Sequence, residues 1–147
     1  MIGLVMKDSV LVNRALYGLE GHRQNSDRAG FLAQLDLLFS PDGYYAEGPY
    51  YQRYALSPFV LFAQSLANSQ PTLEIFKYRD SVLKKSVHAL INLTDEDGEF
   101  YPINDAQKGM SYHSRELILA VDVIYALAGQ DPELLSIAAD QNKVSLD

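Results

Sequence analysis

An all-α domain is predicted from three observations. Apolar residues recur at i, i+3, i+4 over several long stretches. No run alternates apolar and polar residues for more than a few positions. The stretches are separated by Pro, Gly and Asp-Gly punctuation, which stops helices and turns the chain. At 147 residues, 48% hydrophobic and 21% charged, the chain can bury one core and does not read as disordered.

Asp8 is placed to N-cap a first helix carrying Val10, Leu11, Arg14, Ala15 and Leu16, closed by Gly18 and Gly21. Asn25 or Ser26 can cap a second, with Phe31, Leu32, Leu35, Leu38 and Phe39 as its stripe, and Ser40-Pro41-Asp42-Gly43 ends it. A third is expected from about Tyr50 to Asn68, apolar on most faces and therefore an inner helix, with a kink at Ser57-Pro58. A fourth spans roughly Leu73 to Leu93, with Ile75, Phe76, Val82, Leu83, Val87, Leu90 and Ile91 in line, and Thr94 to Gly98 terminates it. A fifth runs from about Ser111 to Ala128. A short sixth is capped by Asp131, with Pro132 in its first turn. Residues 1–140 form the domain and 141–147 a tail.

A weak internal repeat runs through this order. Pro41-Asp42-Gly43-Tyr44-Tyr45 and Asp95-Glu96-Asp97-Gly98-Glu99-Phe100-Tyr101 are both acidic Asp-Gly turns followed by aromatics, a polar loop and a helix. Lys7-Asp8-Ser9-Val10-Leu11 similarly echoes Gln130-Asp131-Pro132-Glu133-Leu134. Such alternation suits antiparallel helix hairpins whose longer loops share one rim, and it suits a general helical bundle as well.

Composition narrows the chemistry. The absence of cysteine removes disulfides, thiolate zinc sites, iron–sulfur clusters and thiol nucleophiles. A formal charge of -7 argues against nucleic acid as a partner. No apolar run reaches the roughly 18 residues of a membrane span, and Met1 to Asp8 lacks the basic region of a signal peptide. No phosphate-binding glycine loop and no serine-nucleophile motif is present. The Asp95-Glu96-Asp97-Gly98-Glu99 run misses calcium-loop spacing and reads as a solvated turn, so neither a metal nor another cofactor is expected.

Ten tyrosines and no tryptophan make an uneven aromatic set, and the tyrosines crowd between Tyr44 and Tyr54. At helical spacing Tyr50 and Tyr54 share a face, with Tyr51 about 100° round from Tyr50. Glu47 precedes the helix start, where the dipole favours a carboxylate. Arg53 lies among the phenols, and a guanidinium favours phenolate, making tyrosine a more credible base. The same residues also fit plain packing, with satisfied hydroxyls and a Glu47–Arg53 ion pair.

The run Asp42-Gly43-Tyr44-Tyr45-Ala46-Glu47-Gly48-Pro49-Tyr50-Tyr51-Gln52-Arg53-Tyr54-Ala55 resembles the motif of heparinase II/III-like and alginate lyase-like polysaccharide lyases, with the oligoalginate lyase branch nearest. The Phe31-to-Ser40 helix and Lys108-Gly109-Met110-Ser111-Tyr112-His113-Ser114-Arg115-Glu116-Leu117 extend the similarity over most of the chain. The resemblance implies part of an (α/α) toroid, followed in the family by β-sandwich domains. It also implies β-elimination at a uronic acid: one group neutralises the C5 carboxylate, a base removes the C5 proton and an acid protonates O4. By motif position the catalytic tyrosine is Tyr51, with Tyr54 in reserve. Glu47, Tyr50, Arg53, His113 and Arg115 are the substrate-binding candidates, and Lys108 could join a positive rim. An acidic polysaccharide or oligosaccharide is the implied partner and the periplasm or exterior the implied location.

The chain departs from the pattern in one respect. The family's Asn/His pair stands before the segment that begins here, and Asn13 and His22 do not occupy its setting. The further His and the β-sandwich would follow Asp147. The chain is thus expected to be a piece of a larger enzyme and inactive by itself. His88, beside Val87 and Leu90, reads as a half-buried helix residue. Two other readings stand beside the lyase: a non-catalytic helical module binding sugar or protein through its tyrosines, and a glycoside hydrolase using Glu47 or Asp42.

Overall fold

The structure, a computed structural model, describes residues 1–19 and 29–145. Among these residues it is all-α, with isolated β-bridges and no strand. The helices are α1 (Ile2–Val5), α2 (Ser9–Tyr17), α3 (Phe31–Leu38), α4 (Pro49–Ser69), α5 (Tyr78–Ile91), α6 (Arg115–Leu127) and α7 (Pro132–Gln141). None is long and apolar enough to cross a membrane.

Where the sequence carries a cap, the helix starts as expected. Asp8 Oδ1 accepts from the Val10 and Leu11 amides at 2.9 and 3.1 Å, and Asp131 Oδ1 accepts from the Glu133 amide at 3.0 Å. Asn25, Ser26, Gly21 and His22 lie outside the described residues. Gly30 sits at the N-cap of α3 with no side-chain cap. The expected tail began at Gln141, but that residue closes α7, is buried, and donates to the Tyr112 carbonyl at 2.6 Å.

α4 continues through Pro58 as one helix, with the proline inside it as expected; that residue is exposed, so the hydrogen bond it removes faces water. Another helix differs from expectation. The fourth expected helix is broken up. Pro71–Leu73 and Ile75–Lys77 are 3₁₀ turns, and Arg79, Asp80 and Ser81 adopt left-handed angles (φ 49°, 53° and 60°) before the regular part of α5. Three such residues in succession are costly. The conformation delivers Arg79 Nη1 to the Leu35 and Phe39 carbonyls, 2.5 and 2.7 Å away, at the end of α3.

α4 touches α1, α5 and α6 and carries Leu56, Phe59, Val60, Ala63 and Leu66 into the core. α6 is the more completely buried helix, inward over Leu117–Val121 and again at Val123 and Ile124. Phe31, Phe39, Phe59 and Phe62 fasten α3 to α4 through ring contacts of 4.9 to 5.4 Å.

The internal repeat is real at the level of single bonds. In the first turn Gly43 N–H donates to the Ser40 carbonyl (3.0 Å), Ser40 to Tyr44 (2.8 Å) and Ala46 to Leu38 (2.8 Å). In the second, Gly98 donates to Asp95 (3.0 Å), Asp95 to Glu99 (2.9 Å) and Tyr101 to Leu93 (2.9 Å). Ser40 Oγ and Asp95 Oδ1 each accept from the amide four residues on. The bridges Phe39–Tyr45 and Thr94–Phe100 match as well. Asp95 Oδ1 also takes the Asp97 amide, so this acidic run folds as a turn around its own first carboxylate.

The turns differ in what completes them. The Phe100 amide donates to Met110 O (2.8 Å) and Gly98 O accepts from the Tyr112 amide (3.2 Å), a backbone-to-backbone closure. The corresponding groups of the first turn meet one side chain: Gln52 Oε1 accepts from the Tyr45 amide (3.0 Å), and Gln52 Nε2 donates to Gly43 O (2.9 Å) and to Ser86 O of α5 (2.8 Å). Gln52 is fully buried. Gly43 lies so close to α5 that a Cβ there would sit 2.3 Å from the Lys85 carbonyl carbon, and its φ is +89°.

Gln52→Leu should therefore leave two turn groups, the Tyr45 amide and the Gly43 carbonyl, unpaired and remove the tie to α5, lowering the unfolding free energy by at least ~2 kcal/mol, since each orphaned group costs about 1–3 kcal/mol. Urea unfolding monitored by circular dichroism reads this directly; a change below ~1 kcal/mol would show that water or a shifted turn satisfies these groups.

Candidate active site

The first Asp-Gly turn delivers the chain to α4 through Gly48 and Pro49. Gly48 has φ +92°, and a Cβ there would lie 3.0 Å from Ile103 O and 3.1 Å from Asn104 Nδ2. Proline at the first position suits a helix start, and Gln52 ties that start to the turn and to α5. The tyrosines of the first turns of α4 are thus carried on a rigid platform.

The expected facial relation holds. Tyr50 and Tyr54 meet edge to face with ring centroids 5.4 Å apart, and Tyr51 meets Tyr50 at 5.2 Å. Tyr51 and Tyr54 are exposed (39% and 46%), while Tyr50 is half-buried. Arg53 is buried, with its guanidinium carbon 3.9 Å from the Tyr54 ring centroid and 5.3 Å from that of Tyr50. Its ion-pair partner is Glu116 of α6, Nη1 to Oε2 at 2.9 Å, and not Glu47. The other guanidinium nitrogens, Nε and Nη2, are buried without a hydrogen-bond partner among the described residues.

This setting separates two adjacent phenols. A hydrogen bond from Tyr50, followed by the adjacent Arg53 guanidinium, lowers the pKa of Tyr54 below the ordinary phenol value. The pKa of Tyr50 is raised, first by that same hydrogen bond and then by desolvation. Of the two phenols, Tyr54 is thus the one that favours phenolate.

Tyr51 opens onto a shallow cleft of about 700 Å³ whose walls are Ala46, Glu47, Tyr51, Asn104 and Asp105. Glu47 is exposed on one wall, and its charge and hydrogen bond help burial raise the pKa of Tyr45. Asn104 stands on the opposite wall with φ +60°. Left-handed backbone in a non-glycine residue beside a cleft is where local strain is often kept for function.

The other sequence candidates are placed elsewhere. His113 is exposed, its ring 4.5 Å from that of Tyr112, with Nε2 3.6 Å from Asp140 Oδ2. Tyr112 donates to the same carboxylate at 2.5 Å. Arg115 opens α6 on an exposed site, Lys108 is exposed in the preceding loop, and none of these three lines the Tyr51 cleft. Asn13 is exposed on α2.

Among the described residues, His88, Asp131 and Glu133 bring potential metal-ligating atoms together. Asp131 Oδ2 already receives the Lys84 ammonium at 2.9 Å, and the two imidazole nitrogens face Asp131 and Glu133 at 3.3 and 3.1 Å. The group acts as an ionic latch between α5 and the N-terminus of α7.

Glu116, Gln52, Asn104 and Asp105 were not singled out by sequence. Glu116 belongs to a quoted motif, but nothing local announces a partner on another helix. Asn104-Asp105 has turn chemistry, the one signal that marks Asn104 for left-handed backbone.

No protein-family signature matches the chain. It is 46% identical over 146 residues to a protein of Saccharophagus degradans named exo-oligoalginate lyase, and 47% identical over 146 residues to one of Stenotrophomonas maltophilia named alginate lyase. Each comparison covers 99% of this chain and 19% of the relative, so the chain spans about a fifth of the length of the relatives it matches. The chain is therefore homologous, along nearly its whole length, to one segment of these proteins.

Tyr54 should lose its proton at lower pH than Tyr50. Tyrosine labelled with ¹³C at Cζ resolves the two phenols by NMR, with Tyr50→Phe and Tyr54→Phe giving the assignment. Titration of Tyr50 ahead of Tyr54 would overturn this order.

Proposed function

We propose that this chain is the segment of an alginate-type polysaccharide lyase that carries a tyrosine acid/base, Tyr51, at the rim of an (α/α) toroid. The observation that carries the reading is the Tyr51 phenol on the wall of the cleft, fixed at the start of α4. The naming of both relatives as alginate lyases supports it. In β-elimination the C5–H bond breaks and its proton passes to a base. The C4–C5 double bond forms, the C4–O4 bond breaks, and O4 takes a proton from an acid. A phenol can serve either transfer, and Tyr51 is exposed enough to meet a sugar ring.

Glu47 and Asp105 make the described walls acidic, which suits hydrogen bonds to sugar hydroxyls and turns the uronate carboxylate away from them. Neutralising that carboxylate falls to groups from other parts of the longer protein, with Arg115, Lys108 and His113 as the candidates on this chain. Alginate is favoured over heparin-like polymers by the relatives' names. A periplasmic or secreted enzyme fits a substrate of this size.

The test is the ultraviolet absorbance of unsaturated product formed by the intact protein from alginate and from heparin oligosaccharides. Tyr51→Phe should reduce kcat by about 10²–10⁴-fold, the usual contribution of a positioned proton-transfer group, with circular dichroism unchanged. Full activity in Tyr51→Phe would remove Tyr51 from the chemistry. Saturable oligosaccharide binding with no unsaturated product from the intact protein would instead leave a binding module.

A further inference from the structure

The guanidinium of Arg53 is held in an unusual way. It is buried among α4 side chains, yet its one ionic anchor among the described residues comes from another helix, through Glu116 Oε2 to Nη1 at 2.9 Å. With Nε and Nη2 unpartnered, that anchor and two tyrosine faces fix its position. A buried cation without its carboxylate would have strong reason to leave. Tyr54 lies against the guanidinium, Tyr50 meets Tyr54, and Tyr50 also meets Tyr51. One contact path thus runs from α6 to the cleft.

We propose that Glu116 is the positioning residue of the tyrosine cluster, fixing the Arg53 guanidinium beneath Tyr54 and Tyr50 so that this pair supports Tyr51 in a single arrangement. Its mechanistic meaning rests on the reading of Tyr51 as the acid/base; its geometric content does not. The groups acting on the Tyr54 phenol are Tyr50 and Arg53 of α4 and Glu116 of α6. Tyr50 and Arg53 favour phenolate there, while the Glu116 charge opposes it. These opposing signs give positioning a signature that simple charge cannot produce.

In Glu116→Gln the amide oxygen still accepts from Arg53, so the guanidinium stays while the opposing charge is lost, and Tyr54 should titrate at lower pH than in the parent chain. In Glu116→Ala the anchor is gone, Arg53 swings toward water, and Tyr54 should titrate at higher pH. The readout is ¹³Cζ-tyrosine NMR on this chain, with Tyr78, bonded to Asp36, as the internal reference. Shifts of the same sign in both variants would mean that Glu116 acts only through its charge, and absence of a shift in both would mean that it does not position the cluster. Either result overturns the proposal. Should Glu116→Ala fail to fold, Arg53→Ala supplies the displaced-guanidinium state, and a Tyr54 titration there no higher than in the parent chain is equally fatal. Full elimination activity in Tyr51→Phe would defeat the lyase reading while leaving these titrations to decide the role of Glu116.

Discussion

The buried carboxamide of Gln52 is the constraint from which the arrangement around the cleft follows. A primary amide offers an acceptor and two donors in one plane, and all three are used: toward the Tyr45 amide, the Gly43 carbonyl and the Ser86 carbonyl. In the second turn the equivalent groups are satisfied by the backbone on either side of Ser111. Gln52 therefore stands in for a piece of extended chain. Because the stand-in belongs to α4 itself, the turn and the start of the helix cannot move independently. Its third bond locks both against α5, where Gly43 leaves no room for a side chain.

A second dependence builds on the first. With the α4 start fixed, Tyr51 faces the cleft and Arg53 faces inward. A buried guanidinium needs a carboxylate, and α6, the most buried helix, supplies Glu116 at its exposed end. Hydrophobic packing sets α6 against α4, and the ion pair sets their register near the rim. The cluster is consequently polar at the rim and apolar below it, with Leu56 and Leu117 fully buried beneath. Such a division keeps ionisable groups close to water while the core holds the frame.

Much of this was legible in the sequence where the signal is local. Asp8 and Asp131 are capping residues and cap; the Asp-Gly turns read as repeats and share their hydrogen bonds; Tyr50 and Tyr54 read as one face and touch. Illegible were the features made by distant partners. Arg53 and Glu47 were near in sequence and suggested a pair, whereas the fold gives Arg53 a partner 63 residues away. The stretch from Leu73 to Ser81 had a helical apolar stripe, and Ile75 and Phe76 are indeed buried. Yet tertiary demand replaced its first turns with 3₁₀ and left-handed backbone, because Arg79 caps α3 from there. The apolar pattern reports which residues go inward, and it does not report the hand of the backbone that carries them.

The two repeats also explain why one turn carries the cleft. After the first, the chain passes at once through Gly48 and Pro49 into a helix, so its leading tyrosines stand at the rim. After the second, a longer loop intervenes before Arg115, and its Met110-to-Tyr112 backbone returns to close the turn. That same loop presents Ile103 and Asn104 to Gly48. The interval spent closing the second turn thus becomes the far wall of the cleft that opens beside the first. Glycine at position 48 permits the approach, since a Cβ there would press on the Ile103 carbonyl and the Asn104 amide. Two like turns, one leading directly onto its helix and the other followed by a long loop that crosses to it, are sufficient to turn a packing repeat into an asymmetric site.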